Sequence, residues 1–206
     1  ADVQPGNLVN VFWKSRLIEQ MGKFKIELIS SVSGKIFDEK LKLQALNSIC
    51  SLLEKFLPER QNYSQIFNAT NAFIDLLTFQ DESKNDYWME GYVKWEIGVL
   101  SSIGFSLDLN RCAVTGSDTN LLFVSPKTGK AVSKEGAGRH APRLLLLPSF
   151  LGGDNVIGSN FYKEILAGLN ITSYFFKNKL LLSINTNKPT NLPNPRIRFV
   201  ELIEKL

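Results

Sequence analysis

At Ser33-Gly34 the apolar residues of this chain stop alternating and begin to recur at every third and fourth position, so a short β part must be followed by a helical one. Before that point Val9, Val11 and Trp13 alternate with Asn10, Lys14 and Arg16, and Phe24, Ile26 and Leu28 alternate with Lys25 and Glu27. Successive side chains of a strand point to opposite faces, so each run predicts a strand, the first over Leu8 to Arg16, with Met21-Gly22-Lys23 as the turn between them. Two strands alone are marginal in water, and this pair is expected to need a larger sheet or a helix to pack on.

Beyond the change, Leu43, Leu46, Cys50, Leu53 and Leu57 keep helical spacing until Pro58 ends it. A second helix carries Tyr63, Ile66, Phe67, Thr70, Ile74 and Leu77 on its apolar face. A third, from about Ser83, turns Trp88, Tyr92, Trp95, Val99, Leu100 and Ile103 inward, with Gly104 as a left-handed cap. The aromatic residues Phe67, Phe73, Trp88 and Trp95 follow the helix period and are read as core. From Asp108 to Arg143 that period lapses, and Leu121–Val124 and Lys130–Ser133 flank Ser125-Pro126-Lys127-Thr128-Gly129, the pattern of a β-hairpin. Helical spacing resumes at Phe161, Ile165, Leu169 and Tyr174, where Gly168 suggests a break between two helices. Asn194 as N-cap and Pro195 at the first helical position open a final helix carrying Ile197, Val200 and Ile203. The fold class expected is mainly α with small β parts, an α+β chain without internal repeats.

With 44% hydrophobic residues in 206, the chain can bury a real core. Its net charge of +4 is too modest to indicate a partner, and the distribution of charge says more. Between Leu121 and Leu147 stand Lys127, Lys130, Lys134, Arg139 and Arg143 against Glu135 alone. From Ile165 to Val200 stand Lys177, Lys179, Lys188, Arg196 and Arg198 with no acid, whereas Asp75, Asp81, Glu82, Asp86, Glu90 and Glu96 make the third-helix region acidic. Local Lys and Arg clusters are what phosphates bind, although a cluster is as often plain solvated surface. Lys14, Arg16, Lys23 and Lys25 beside Trp13 fit a basic groove with a stacking aromatic; the competing reading puts Trp13 in the core.

Catalysis has no foothold. Neither phosphate-loop nor dinucleotide glycine pattern occurs, and His140, the sole histidine, has no evident acid or nucleophile partner. Glu90 and Glu96, six residues apart on one helix, point to opposite sides. Cys50 and Cys112 are too few for a disulfide framework, which suits a reducing compartment. The longest apolar runs, Leu144–Leu147 and Leu180–Leu182, are far short of the roughly 20 residues that span a bilayer. The opening Ala1-Asp2-Val3-Gln4-Pro5-Gly6 has neither initiator Met nor signal pattern and is read as a cut, with more sequence expected upstream.

Several strings, in order, resemble those of the RecO family. They are Gln4-Pro5-Gly6-Asn7-Leu8-Val9 with Trp13 and Arg16; Glu96 to Gly104 followed by Leu107-Asp108-Leu109-Asn110-Arg111-Cys112-Ala113-Val114-Thr115-Gly116; Ser125 to Ser133; Leu147-Pro148-Ser149-Phe150-Leu151; and Thr172-Ser173-Tyr174-Phe175-Phe176. The resemblance implies an N-terminal OB-fold, of which residues 1–34 would be the C-terminal part, and a helical domain over 35–206 with a ribbon-like insert at about 108–143. It implies a bacterial, cytoplasmic and nucleoid-associated mediator that helps load RecA and anneals strands in the RecF pathway. Its expected partners are single- and double-stranded DNA, RecR, the C-terminal tail of single-strand-binding protein, and RecF. A protein-interaction scaffold without direct DNA contact is the alternative. Expected DNA-binding residues are Lys14, Arg16, Lys23, Lys25, Lys127, Lys130, Arg139 and Arg143.

In some relatives the insert holds zinc on paired Cys-x-x-Cys knuckles. Here Cys112 stands at the first ligand position, while Thr115, Ser133 and Gly136 stand at the other three. Hydroxyls and a bare glycine do not replace thiolates, so no zinc or other cofactor is expected, and Cys112 is read as a small buried residue.

Overall fold

The computed structural model describes residues 3–17, 20–79, 86–154, 160–181 and 191–206. Strands β1 (Leu8–Lys14) and β2 (Lys23–Ser30) pair antiparallel, with Trp13 opposite Phe24, Phe12 opposite Lys25 and Lys14 opposite Lys23. β1 ends at Lys14, two residues earlier than the alternation predicts, which leaves Arg16 in the connection. Residues directly opposite share a face. One face therefore carries Val9, Val11, Trp13, Phe24, Ile26 and Leu28, and the other carries Asn10, Phe12, Lys14, Lys23, Lys25 and Glu27.

The ribbon is fastened at its base. Asn7 accepts a hydrogen bond from the Val32 amide at 3.1 Å, and Val32 and Ile36 enter the core. Gly6 has φ +86° and lies so close to α1 that a Cβ would stand 2.6 Å from a Leu46 methyl, so any side chain there would be strained. Trp13 is 52% exposed, so it is not part of the core that the described residues form.

The helical part comprises α1 (Lys40–Phe56), α2 (Ser64–Thr78), α3 (Trp88–Ser102), the single turn α4 (Lys134–Ala137), α5 (Phe161–Phe175) and α6 (Asn194–Ile203). The expected start of the third helix, near Ser83, lies outside the described residues. Leu46, Ile49 and Leu52 of α1 are fully buried, each worth about 1.5–3 kcal/mol of burial. Leu43, Cys50 and Leu53 only border that face, so apart from Leu46 the deepest line runs one residue off the predicted stripe. Phe67 is 57% exposed, a second correction, because α2 buries Ile66, Phe73 and Leu77 instead. At the centre Tyr92 of α3 packs on Phe199 of α6, with ring centroids 4.5 Å apart. Gly104 closes α3 in the left-handed region at φ +95°, as expected.

Gly168 does not break a helix. α5 runs unbroken through it, and a Cβ there would stand 2.8 Å from Val93 and 2.9 Å from Phe150. The glycine lets α5 approach α3 closely. The last helix begins at Asn194 with Pro193 as its N-cap, one residue before the expected cap.

The insert is a three-stranded sheet ordered β4-β3-β5, with β3 Leu121–Val124, β4 Ala131–Ser133 and β5 Leu145–Leu146. The hairpin matches the sequence reading, with Gly129 at φ +72° in its loop. β5 adds an edge strand that the apolar run Leu144–Leu147 did not announce, since a two-residue strand has no period to detect. No described helix is long and apolar enough to cross a membrane.

Candidate nucleic-acid interface

The expected DNA-binding residues fall in two places. Lys14, Lys23 and Lys25 share one face of the β1–β2 ribbon, and Arg16 is exposed in the connection. The aromatic residue on that basic face is Phe12, with the Lys25 ammonium 6.0 Å from its ring centre, while Trp13 points to the opposite, apolar face. The Lys25 charge is partly answered by Glu27 at 2.7 Å.

The insert holds the other group. Leu145 stands opposite Val124 and Val124 opposite Ala131, so Lys130 and Arg143 come to the same end of the sheet as the loop that carries Lys127. All three are exposed, as is Arg139 in the 3-10 segment Gly138–Arg143. Lys130 pairs with Asp108 at 3.6 Å. The tail cluster divides. Lys177 and Arg198 are exposed, Lys188 lies outside the described residues together with Asp81 and Glu82, and Lys179 reaches the insert by donating to the Lys127 carbonyl at 3.4 Å.

Arg196 does not belong to any DNA surface. It is 1% exposed and forms a two-pronged ion pair with Glu96, which is 0% exposed. Thr172 and Tyr92 also donate to Glu96, and Ser48 and Ser173 extend the network, so α1, α3, α5 and α6 meet on it. Burial works against the Arg196 charge, yet the Glu96 carboxylate raises its pKa above the ordinary value. Glu90 pairs with Lys94 at 3.6 Å, so the two carboxylates have separate structural partners.

Cys112, Thr115, Ser133 and Gly136 do converge. Amides of Val114, Thr115 and Ser133 donate to Cys112 Sγ at 3.2–3.4 Å, and the Thr115 and Ser133 hydroxyls are 3.4 Å apart. Burial alone would raise the thiol pKa, but hydrogen bonds from Ser133 and Thr115 outweigh it and lower the value to about 6. A Cβ on Gly136 would stand 2.8 Å from that sulfur. The donor set is one thiol and two hydroxyls, which does not fit tetrahedral zinc chemistry. Among the described residues no group of three or more His, Cys, Asp or Glu side chains is placed to hold a metal.

Between α2 and α3 lies an apolar groove of about 340 Å³, floored by Ala69, Ala72 and Gly91, walled by Phe73, Leu76 and Trp95, and bordered by Lys94. No motif marks it, because its floor consists of small residues that read as ordinary helix surface.

Residues 41–188 match the family described as recombination protein O, C terminal. The chain belongs to the RecO family. It is 37% identical over 205 residues to the DNA repair protein RecO of Rhodospirillum rubrum, covering 100% of this chain and 79% of that protein. It is 40% identical over 203 residues to the DNA repair protein RecO of Cereibacter sphaeroides, covering 98% and 80%. The RecO of Wolbachia pipientis is 38% identical over 189 residues, covering 90% and 76%. No solved structure matches the chain significantly.

Proposed function

We propose that this chain is a DNA repair and recombination mediator of the RecF pathway, an adaptor that binds DNA and partner proteins to help load RecA and anneal strands. The carrying observation is the gathering of Lys127, Lys130 and Arg143 at one end of the insert sheet in a chain of this family. Support comes also from the basic ribbon face of Lys14, Lys23 and Lys25. We read the ribbon as part of an OB-fold, and Arg16 and Arg139 as flanking phosphate contacts. No catalytic role or metal is assigned, and the Cys112 cluster is taken to fold by hydrogen bonding alone. Single- and double-stranded DNA, RecR, RecF and the tail of single-strand-binding protein are the proposed partners, in the bacterial cytoplasm at the nucleoid.

A second reading, a scaffold that contacts proteins only, is favoured by the apolar groove between α2 and α3. Salt dependence separates the two. Each phosphate neutralised on a single strand adds about 0.7 to the slope of log affinity against log salt. An adaptor of the first kind gives a steep slope, which Lys127→Glu/Lys130→Glu/Arg143→Glu flattens. Absence of oligonucleotide binding even at low salt supports the scaffold.

A further inference from the structure

Among the described residues Lys130 of the insert is paired with Asp108, whereas Lys134, Arg139 and Arg143 form no ion pair, and neither do Lys127 and Lys179. These two lysines, 52 positions apart in the chain, are joined by the hydrogen bond from Lys179 Nζ to the Lys127 carbonyl. They border one concavity of about 260 Å³, whose other walls include Phe105, Leu107, Thr128 and Phe175. Among the described residues no acidic one lines it.

The backbone builds this hollow deliberately. The segment after α3 runs beside the hairpin, with the Asp108 amide donating to the Gly129 carbonyl and the Ala131 amide to the Asp108 carbonyl. Gly129 must stay small, because a Cβ there would stand 3.0 Å from Leu107 and 3.5 Å from Phe175, at a φ that already disfavours other residues. On the far side α5 widens into a π-helical segment, Phe176–Leu181, which carries Lys179. Such segments are rare and concentrate at functional sites.

We propose that this concavity is a nucleotide subsite: Lys127 and Lys179 take the phosphates on either side of one nucleotide of a single strand, and its base lies against Phe105 and Leu107. Two ammonium groups without a carboxylate partner among the described residues, beside an apolar floor, match a unit that is anionic at its backbone and flat and apolar at its base. A rigid duplex keeps its bases stacked inside and cannot offer one to the floor. The proposal rests on the DNA-binding reading above and adds Lys179 and Phe105 to it.

The test uses the whole chain and a labelled oligothymidine, with affinity measured across a salt series for wild type, Lys127→Ala/Lys179→Ala and Phe105→Ala. The lysine pair variant should lose about 1.4 from the salt slope, at roughly 0.7 per phosphate, with its thermal midpoint unchanged. Phe105→Ala should weaken binding about tenfold while keeping the wild-type slope, because stacking carries no counterions. In Phe105→Trp the added indole emission should be quenched on binding. Wild type that binds no oligonucleotide at any salt overturns the DNA reading and this subsite with it. Wild type that binds, with both variants unchanged in affinity and slope, overturns the subsite alone. Binding of an acidic peptide that is lost in the lysine variant, with oligothymidine binding intact, assigns the hollow to a protein tail and likewise overturns the proposal.

Discussion

The Arg196 guanidinium meets the Glu96 carboxylate edge to edge, Nε 2.5 Å from Oε1 and Nη2 3.0 Å from Oε2, with both side chains withdrawn from solvent. Removing one charge of such a pair strands the other in a low-dielectric core, which typically costs about 3–5 kcal/mol. Glu96→Gln and Arg196→Met are each expected to destabilise the chain by that order in denaturant melts. Replacing both partners with apolar residues of similar volume should cost much less. A single variant within about 0.5 kcal/mol of wild type, the range of ordinary surface changes, would show that the pair is not isolated from water as described.

Tyr92 supplies the pH dependence of the same network. Its hydroxyl donates to Glu96 Oε1 at 2.9 Å and lies 2.6 Å from Ser48 Oγ. Burial, and then the Glu96 charge, push its pKa well above the ordinary value of 10.0, with Arg196 and Ser48 only partly offsetting them. The unfolded chain ionises this phenol near pH 10 and the folded chain does not. The stabilisation is therefore complete below about pH 10 and is lost as pH rises further. The midpoint of thermal unfolding should fall from about pH 10 upward, and fall less steeply in Tyr92→Phe. Tyr162, raised by its hydrogen bond to Asp86, would account for some residual slope. Identical slopes in the two proteins would remove Tyr92 as the cause.

Two glycines on neighbouring helices should respond to alanine in opposite directions. At Gly168 the new methyl would enter the space held by Val93 and Phe150, and overpacking of this kind costs about 1–3 kcal/mol. At Gly98, within α3, nothing lies within 4 Å of the added carbon, so Gly98→Ala should stabilise by up to about 1 kcal/mol through helix propensity. Unfolding free energies that move the same way in both variants would contradict the close α3–α5 approach.

What could be read from the sequence follows from what leaves a periodic trace. The ribbon, the first three helices and the Ser125–Gly129 hairpin all announce themselves by period or by Pro and Gly, and all are present. Arg196 does not, because a buried arginine looks the same as an exposed one until its partner, 100 residues away, is folded against it. Gly168 misleads for a related reason: its cost to the helix is local and visible, while its benefit lies in Val93 of another helix. The convergence of Cys112 with Thr115, Ser133 and Gly136 was legible through family resemblance alone. The Lys127–Lys179 hollow was legible in neither way, since it joins a loop to a helix end.

The Cys112 cluster brings together one thiol, two hydroxyls and a glycine. Wild type should contain no stoichiometric zinc after purification in zinc-supplemented medium, as measured by elemental analysis. Thr115→Cys/Ser133→Cys/Gly136→Cys should bind about one zinc per chain, since structural zinc sites take four thiolates at roughly 2.3 Å. Gly136→Cys alone, which sets a Cβ 2.8 Å from the Cys112 sulfur with no metal to space them, should destabilise the insert. One zinc per chain in wild type would overturn this assignment.

Strand register makes the last prediction, because it puts two neighbouring aromatics on opposite faces of the ribbon. Phe12 shares its face with Lys14, Lys23 and Lys25, and Trp13 faces the other way beside Phe24. If a strand of nucleic acid lies along the lysines, a base can stack on Phe12 but cannot reach Trp13 without crossing the ribbon. Stacking on an aromatic side chain is worth about 1–3 kcal/mol per base. Phe12→Ala should therefore weaken oligothymidine binding by roughly tenfold, whereas Trp13→Ala leaves affinity within about twofold of wild type. Equilibrium titration at fixed salt decides it. A larger loss from Trp13→Ala than from Phe12→Ala would place the nucleic acid on the apolar face, and would move Lys14, Lys23 and Lys25 from direct contacts to distant charges.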